Sequence, residues 1–203
     1  LFAHTNSGLM AQNSETETTT HIFGNYTAGR AVKSANELSF SFAGDAMFGR
    51  NVGHDFQDNN FLDLFANLGN RTLWGTDISW LNLEGPISDK NVEQFPAEHS
   101  LVFNFSRQAI EPLKYLKLTA VGLANNHTMN QGAAALNKTR EILKGAGIDW
   151  SGDPEKNDDN GIRRYRQGDI TAALLPVNVL GSAAGVEDLI KREKNKNNFV
   201  IVL

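Results

Sequence analysis

Residues 118–132 read LTAVGLANNHTMNQG, a short apolar run that stops at two asparagines and a histidine and then passes into a helix-like pattern. The run predicts a buried strand that delivers Asn125, Asn126 and His127 to its carboxyl end. Open α/β sheets bind ligands at that edge, so a polar cluster there is a site candidate by position as well as by chemistry. Two other segments share the form. Residues 38–50, LSFSFAGDAMFGR, carry Asp45, and residues 78–88, ISWLNLEGPIS, carry Glu84. Three strands that each end in an oxygen or nitrogen ligand are hard to explain as packing alone.

In the first of these segments Leu38, Phe40 and Phe42 alternate with Ser39, Ser41 and Ala43, the period of a strand, and Gly44 is expected to end it. The following GDAMFGRN superficially matches a phosphate-cradling loop, but Arg50 and Asn51 stand where lysine and a hydroxyl residue belong. Without that hydroxyl the magnesium ligand is lost, and the nucleotide-loop reading is rejected. Asp45, directly after a core strand, reads as a ligand for a hard metal ion, with Arg50 placed to meet an anion. Glu84 taken alone could be a helix cap or a surface carboxylate. Beside Asp45 and the Asn-His pair, a ligand role is the better account. The bland alternative for Asn125, Asn126 and His127 is that they cap the following helix, a role that needs only one of the three.

Outward from the three strands the chain predicts an α/β domain. Phe61, Leu64, Phe65 and Leu68 have helical spacing with Gly69 as a stop, and residues 101–105 form a short strand candidate. Ile110, Leu113 and Leu116 mark a helix that Pro112 forces to begin later than Ser106. A helix is expected over residues 131–146 with Leu136, Leu143 and Ala146 inward and Gly147 as its cap, then a strand at 148–151. The acidic loop 153–161 lacks the spacing of a calcium loop and reads as a solvated turn. Residues 162–166 and 170–177 flank Gln167-Gly168-Asp169 as a hairpin, residues 186–196 form a charged helix, and 199–203 are wholly apolar. An apolar strand at the last residue suggests a sequence cut short. Residues 1–36, rich in Ser, Thr, Asn and Gly, read as a flexible arm whose His4 and His21 are solvated, and residues 37–203 as the folded domain. Residues 89–100 read as a loop over the site edge, with His99 undecided between solvent and site.

Composition narrows the function. The 203 residues carry 19 basic and 23 acidic side chains, net −4, with the basic ones scattered, which excludes an electrostatic footprint for nucleic acid. There is no cysteine, hence no disulfide scaffold, zinc-thiolate site or cysteine nucleophile. A mean hydropathy of −0.35 and the lack of any run of membrane-spanning length suit an ordinary globular chain. The chain begins at Leu1, so a lost export signal is plausible. Asn-x-Ser/Thr triplets at Asn25, Asn70, Asn104, Asn126 and Asn137 read as chance in a chain this rich in those residues.

Together GDAMFGR at residues 44–50, NLEGPIS at 82–88 and LANNHTMNQG at 123–132 resemble the CapA family of bacterial capsule synthesis proteins, which includes the PgsA component of poly-γ-glutamate production. GAGIDWSGDP at 145–154 fits the same pattern, and the resemblance covers roughly residues 38–203. It implies a relative of the calcineurin-like metallophosphoesterases: a layered sandwich of mixed β-sheets flanked by helices, with a metal centre at strand ends. It also implies that Asp45, Glu84 and Asn126 are metal ligands and that His127 is the catalytic proton donor. Arg50, Asn82 and Asn125 are the expected substrate-binding side chains. Asp45-Ala46-Met47 departs from the Asp-x-His motif of the phosphoesterases, so one metal histidine is gone, and Asn130 stands in the neighbourhood where an aspartate is common in the CapA family. A His-Trp-Gly segment is expected beyond Leu203.

With so few ligands a divalent ion, manganese, magnesium or calcium, is expected to bind weakly, with water completing its shell. Two functions follow from the resemblance. One is a metal-dependent phosphoesterase-like hydrolase or transferase of capsule biosynthesis. The other is a non-catalytic cell-surface accessory protein, anchored through a segment outside this chain, that binds an anionic polymer or the membrane synthase complex.

Overall fold

A computed structural model describes residues 35–56, 61–68, 76–89, 101–181 and 183–203. The first half runs β1 (Phe40–Ala46), α1 (Arg50–Phe56), a 3-10 helix (Phe61–Leu68), β2 (Ile78–Leu83), a 3-10 turn (Arg107–Ala109) leading into α2 (Ile110–Tyr115), and β3 (Ala120–Gly122). The second half runs α3 (Gly132–Gly145), β4 (Asp149–Ser151), a 3-10 turn (Asp159–Gly161), β5 (Arg163–Gln167), β6 (Ile170–Leu175), α4 (Val186–Lys194) and β7 (Phe199–Val202). The first sheet has the order β1-β2-β3-β4 and every pair in it is parallel, so all four carboxyl ends share one edge. The second sheet is mixed, β5-β6-β7, with β5 and β6 antiparallel and β6 and β7 parallel.

Strand alternation assigns the layers. Leu81, Leu83, Val121 and Leu123 turn to one side and pack on Leu113, Leu136 and Leu143 from the helices. Trp80 and Ala120 turn to the other side and meet Leu174 of β6, with Phe40 and Tyr165 beside them. Ala173 and Leu175 point away from that seam onto Leu189 of α4. The order is therefore helices, parallel sheet, mixed sheet, helix, the layered α/β sandwich expected from the resemblance. Fully burying one leucine stabilises by about 1.5–3 kcal/mol, and the three clusters together hold the layers. An ion pair ties α4 to β5: Glu193, fully buried, accepts from the part-exposed Arg164 at 2.7 and 2.9 Å.

Gly122 is required by close packing. A Cβ there would run into the indole of Trp80, whose Nε1 donates to Ser151 Oγ at 2.9 Å. The glycine thus lets a large aromatic from β2 lie across β3 and bond to β4.

Several boundaries differ from the sequence reading. β1 does not stop at Gly44 but continues through Ala46, so Asp45 lies within the strand and not after it. The pairing explains how: Phe42 is opposite Trp80, yet Asp45 is opposite Asn82, which leaves one extra residue in β1. This bulge breaks the alternation that simple periodicity assumes. Residues 101–105 form no strand, only a single parallel bridge between Phe105 and Ile87, because the backbone of Phe103 is bound by side chains. The helix at 61–68 is of the 3-10 kind, with Phe65 on the core and Leu64 exposed, and α1 was not anticipated. The predicted β3, α3, β4 and the β5–β6 hairpin are observed, and Gly147, at φ 73°, follows α3 as a left-handed cap. β7 is an outer strand with Phe199 and Val202 exposed.

Of the predicted arm only residues 35 and 36 are described, and Asn36 already bonds to the hairpin turn, its Oδ1 accepting from Asp169 N at 2.9 Å. His4, His21 and His99 lie outside the described residues. Among the described residues no helix is long and apolar enough to cross a membrane.

Candidate functional site

The common carboxyl edge of the parallel sheet gathers the polar ends of β1, β2 and β3. Asp45 arrives first, and the bulge decides its direction. Paired residues on adjacent strands share a face, and a one-residue slip reverses the face. Continued from Phe42 without the bulge, the register would place Asp45 opposite Leu83 and aim it into the helical core. With the bulge it lies opposite Asn82, on the face away from Leu83.

Asn82 then joins the two carboxylates. Its Nδ2 donates to Asp45 Oδ1 at 2.8 Å and also to Glu84 Oε2. The amide cannot be turned over, because Asn82 Oδ1 accepts from Asn125 Nδ2 at 3.0 Å. Glu84 sits one residue past β2 and is four-fifths buried. Burial foremost, and then the negative charge of Asp45, raise its carboxyl above the ordinary range, while His127 and the Asn82 hydrogen bond act the other way.

Asn125 is buried and spends its whole side chain inside the protein. Nδ2 donates to the Leu83 carbonyl at 2.8 Å as well as to Asn82, and Oδ1 accepts from His127 N, Thr128 N and Thr128 Oγ1 at 3.0, 2.9 and 2.8 Å. It therefore organises a turn directly after β3 and ties that turn to the end of β2. It does not cap α3, whose N-cap is Gln131, so the bland capping alternative fails.

The turn projects His127 toward Glu84, with Nε2 at 3.9 Å from Glu84 Oε1. The other ring nitrogen, Nδ1, is 3.1 Å from Asn130 Oδ1, and the ring of Phe103 stacks on the imidazole at 4.2 Å between centroids. Asn126, between the two, is exposed. Arg50 opens α1, half-buried, with its backbone in the left-handed region at φ 54°, uncommon for a residue other than glycine. A groove of about 310 Å³ runs past Asp45 and Asn82 between Trp80, Ala124, Pro176 and Val177, so the site edge lies where the carboxyl ends of the parallel sheet meet those of β6 and β7.

The structure thus joins Asp45, Asn82, Glu84, Asn125 and His127 in one hydrogen-bonded cluster. Among the described residues no group of three His, Asp or Glu side chains is arranged to hold a metal ion. Sequence reasoning missed Phe103, Thr128 and Gln131, and singled out Asn130 only as a departure from a pattern. Phe103 has no local signal, since its role depends on contact with residues 24 to 28 positions later.

The model of the bacterial capsule synthesis protein family PGA_cap matches residues 39–200. The chain belongs to this bacterial capsule synthesis family. The match takes in all three strand-end motifs and every member of the cluster. Comparison with curated proteins found no match. The role of a capsule synthesis protein therefore rests on the family, and the chemistry of this member on its site.

Proposed function

We propose that this capsule synthesis protein carries a metallophosphatase-like site acting in the production of an anionic polymer such as poly-γ-glutamate or a capsule polysaccharide, at the cell surface. One observation carries the reading: two carboxylates, Asp45 and Glu84, share a single amide donor at the carboxyl edge while the His127 imidazole faces them.

Two carboxylates and an amide oxygen are the ligand chemistry that a hard cation takes. Burial first and the neighbouring Asp45 second raise the Glu84 carboxyl, and a cation beside the two carboxylates would relieve both effects. Asp45 and Glu84 would hold it, with the exposed Asn126 as a third oxygen ligand. Three such ligands make a weak site completed by water, unlike a closed dinuclear centre. When bound, the ion supplies Lewis-acid polarisation of a phosphoryl oxygen. His127, when its ring carries a second proton on Nε2, passes that proton to the leaving group and keeps the one on Nδ1, and Arg50 meets the anion. Asn82 sets the spacing of the carboxylates. Asn125, with no hydrogen-bonding capacity left over, serves by positioning Asn82 and His127.

Assay of the protein with manganese against a chromogenic phosphodiester tests this. Turnover that requires the metal and is abolished by both Asp45→Ala and His127→Ala is expected.

A second reading has its own support. Met47 occupies the place of the missing metal histidine, and its sulfur accepts from Gly49 N at 3.1 Å while the side chain packs on the core. That position serves folding, which favours a non-catalytic accessory protein binding the polymer or the membrane synthase. Absence of metal-dependent turnover, together with retention on an immobilised anionic polymer, would establish this reading over the first.

A further inference from the structure

We propose that Asn130 is a positioning residue for His127: its side-chain oxygen, oriented by the backbone of Phe103, holds the imidazole in the Nδ1-protonated tautomer and leaves Nε2 as the working nitrogen. What Nε2 then does rests on the function proposed above, but the tautomer is a property of the folded chain alone.

The two ends of an asparagine amide have the same shape, so the partners decide which atom faces which. The backbone N–H of Phe103 can only donate, and it lies 2.7 Å from Asn130 Oδ1. Turning the amide over would set two donors against each other at a buried residue and leave the N–H unsatisfied. The oxygen therefore faces Phe103. That same oxygen lies 3.1 Å from His127 Nδ1. A carbonyl oxygen brings no hydrogen, so Nδ1 must supply one. A neutral imidazole has a single N–H, which leaves the lone pair on Nε2, the nitrogen that faces Glu84 at 3.9 Å.

The surrounding contacts make the arrangement rigid. Gln131 Nε2 donates to the Phe103 carbonyl at 3.2 Å, so both backbone groups of Phe103 are held by adjacent side chains of the turn. The Phe103 ring, stacked on the imidazole with 28° between planes, fixes the plane of His127, and Asn125 Oδ1 fixes its backbone N–H. Ring plane, chain position and tautomer are thus set before any substrate arrives, which is the condition for efficient proton transfer by a side chain. An asparagine whose only duty was to close the turn would have no need to present its oxygen to Nδ1.

The test is a two-bond nitrogen–proton correlation spectrum of the ¹⁵N-histidine-labelled chain, recorded with chelator present and at a pH where the imidazoles are neutral. His127→Gln identifies the His127 signals among the five histidines. The expected wild-type pattern is a pyrrole-type Nδ1 and a pyridine-type Nε2, the reverse of free histidine in water. Asn130→Asp, which keeps an acceptor, should retain it, and Asn130→Leu, similar in size without one, should move His127 toward the opposite pattern. A pyridine-type Nδ1 in the wild-type chain would overturn the proposal whether or not the variants fold. So would an unchanged pattern in folded Asn130→Leu. Because no turnover is read, a chain inactive on every phosphodiester would leave the tautomer assignment standing.

Discussion

Nε2 of His127 stands 3.9 Å from Oε1 of Glu84, across the ends of the neighbouring strands β2 and β3. The contact links an imidazole to a carboxylate that burial foremost, and then Asp45, make reluctant to ionise. A group whose folded-state affinity for protons is raised contributes stability that is full below its unfolded pKa and is lost as pH rises through the folded value. Wherever Glu84 is ionised, its charge is therefore a local cost. Glu84→Gln is expected to raise stability at pH 7 by about 0.5 kcal/mol or more, while removing metal-dependent turnover. Chemical denaturation at pH 7 and pH 4 checks it, and a gain that fails to shrink at the lower pH would contradict the assignment.

Asn125 and Asn126 are neighbours with opposite expectations. Asn125→Ala removes the bonds to Leu83 and Asn82 and leaves the amides of His127 and Thr128 without an acceptor, so a loss of about 2–3 kcal/mol is expected. The exposed Asn126→Ala should change stability by less than about 0.5 kcal/mol yet weaken metal binding. Urea midpoints of the two variants separate the roles.

Glu193 provides a second pH dependence of opposite sign. Hydrogen bonds from Arg164 foremost pull its carboxyl down to about 2. Its contribution is full above the unfolded value of 4.5 and is lost as pH falls from there toward 2. Glu193→Ala removes the buried acceptor but leaves the part-exposed Arg164 paired with Asp159, so a cost of about 1–3 kcal/mol at pH 7 is expected. The difference from wild type should narrow in unfolding curves taken at pH 3, and a gap that stays constant would show that the ion pair contributes nothing.

Gly122→Ala tests the crossing of Trp80 over β3. The new methyl must displace the indole, break its bond to Ser151 and cost about 1–3 kcal/mol. Tryptophan emission should shift to longer wavelength along with the lower midpoint. An unchanged spectrum would mean that the sheet accommodates the methyl in another way.

A divalent ion that binds the folded chain alone should raise its stability by about 2.7 kcal/mol at one hundred times the dissociation constant. Manganese titration followed by thermal unfolding should show this rise, and Asp45→Asn should abolish it. A rise that survives this substitution would place the ion elsewhere.

Much of this was legible along the chain. Apolar runs that stop at Asp45, Glu84 and the Asn-Asn-His turn announce parallel strands with polar side chains at one edge, because a short apolar run followed by polar groups has few other folded uses. The β3–α3–β4 unit and the β5–β6 hairpin were equally plain, since their periodicity and glycine turns are local properties. The family motifs, too, are short and contiguous.

What the sequence by itself determined, then, is the class of fold, the order of most of its elements and which strand ends carry the polar cluster. Only the tertiary structure decided which way those ends face. The extra residue in β1 that aims Asp45 at Asn82 becomes visible only in its pairing with β2, since a bulge is defined by two strands and not by one. The same holds for Phe103 on His127 and for Asn130 on Nδ1. Those contacts depend on a turn and a distant loop meeting in space, and no spacing within either segment encodes them.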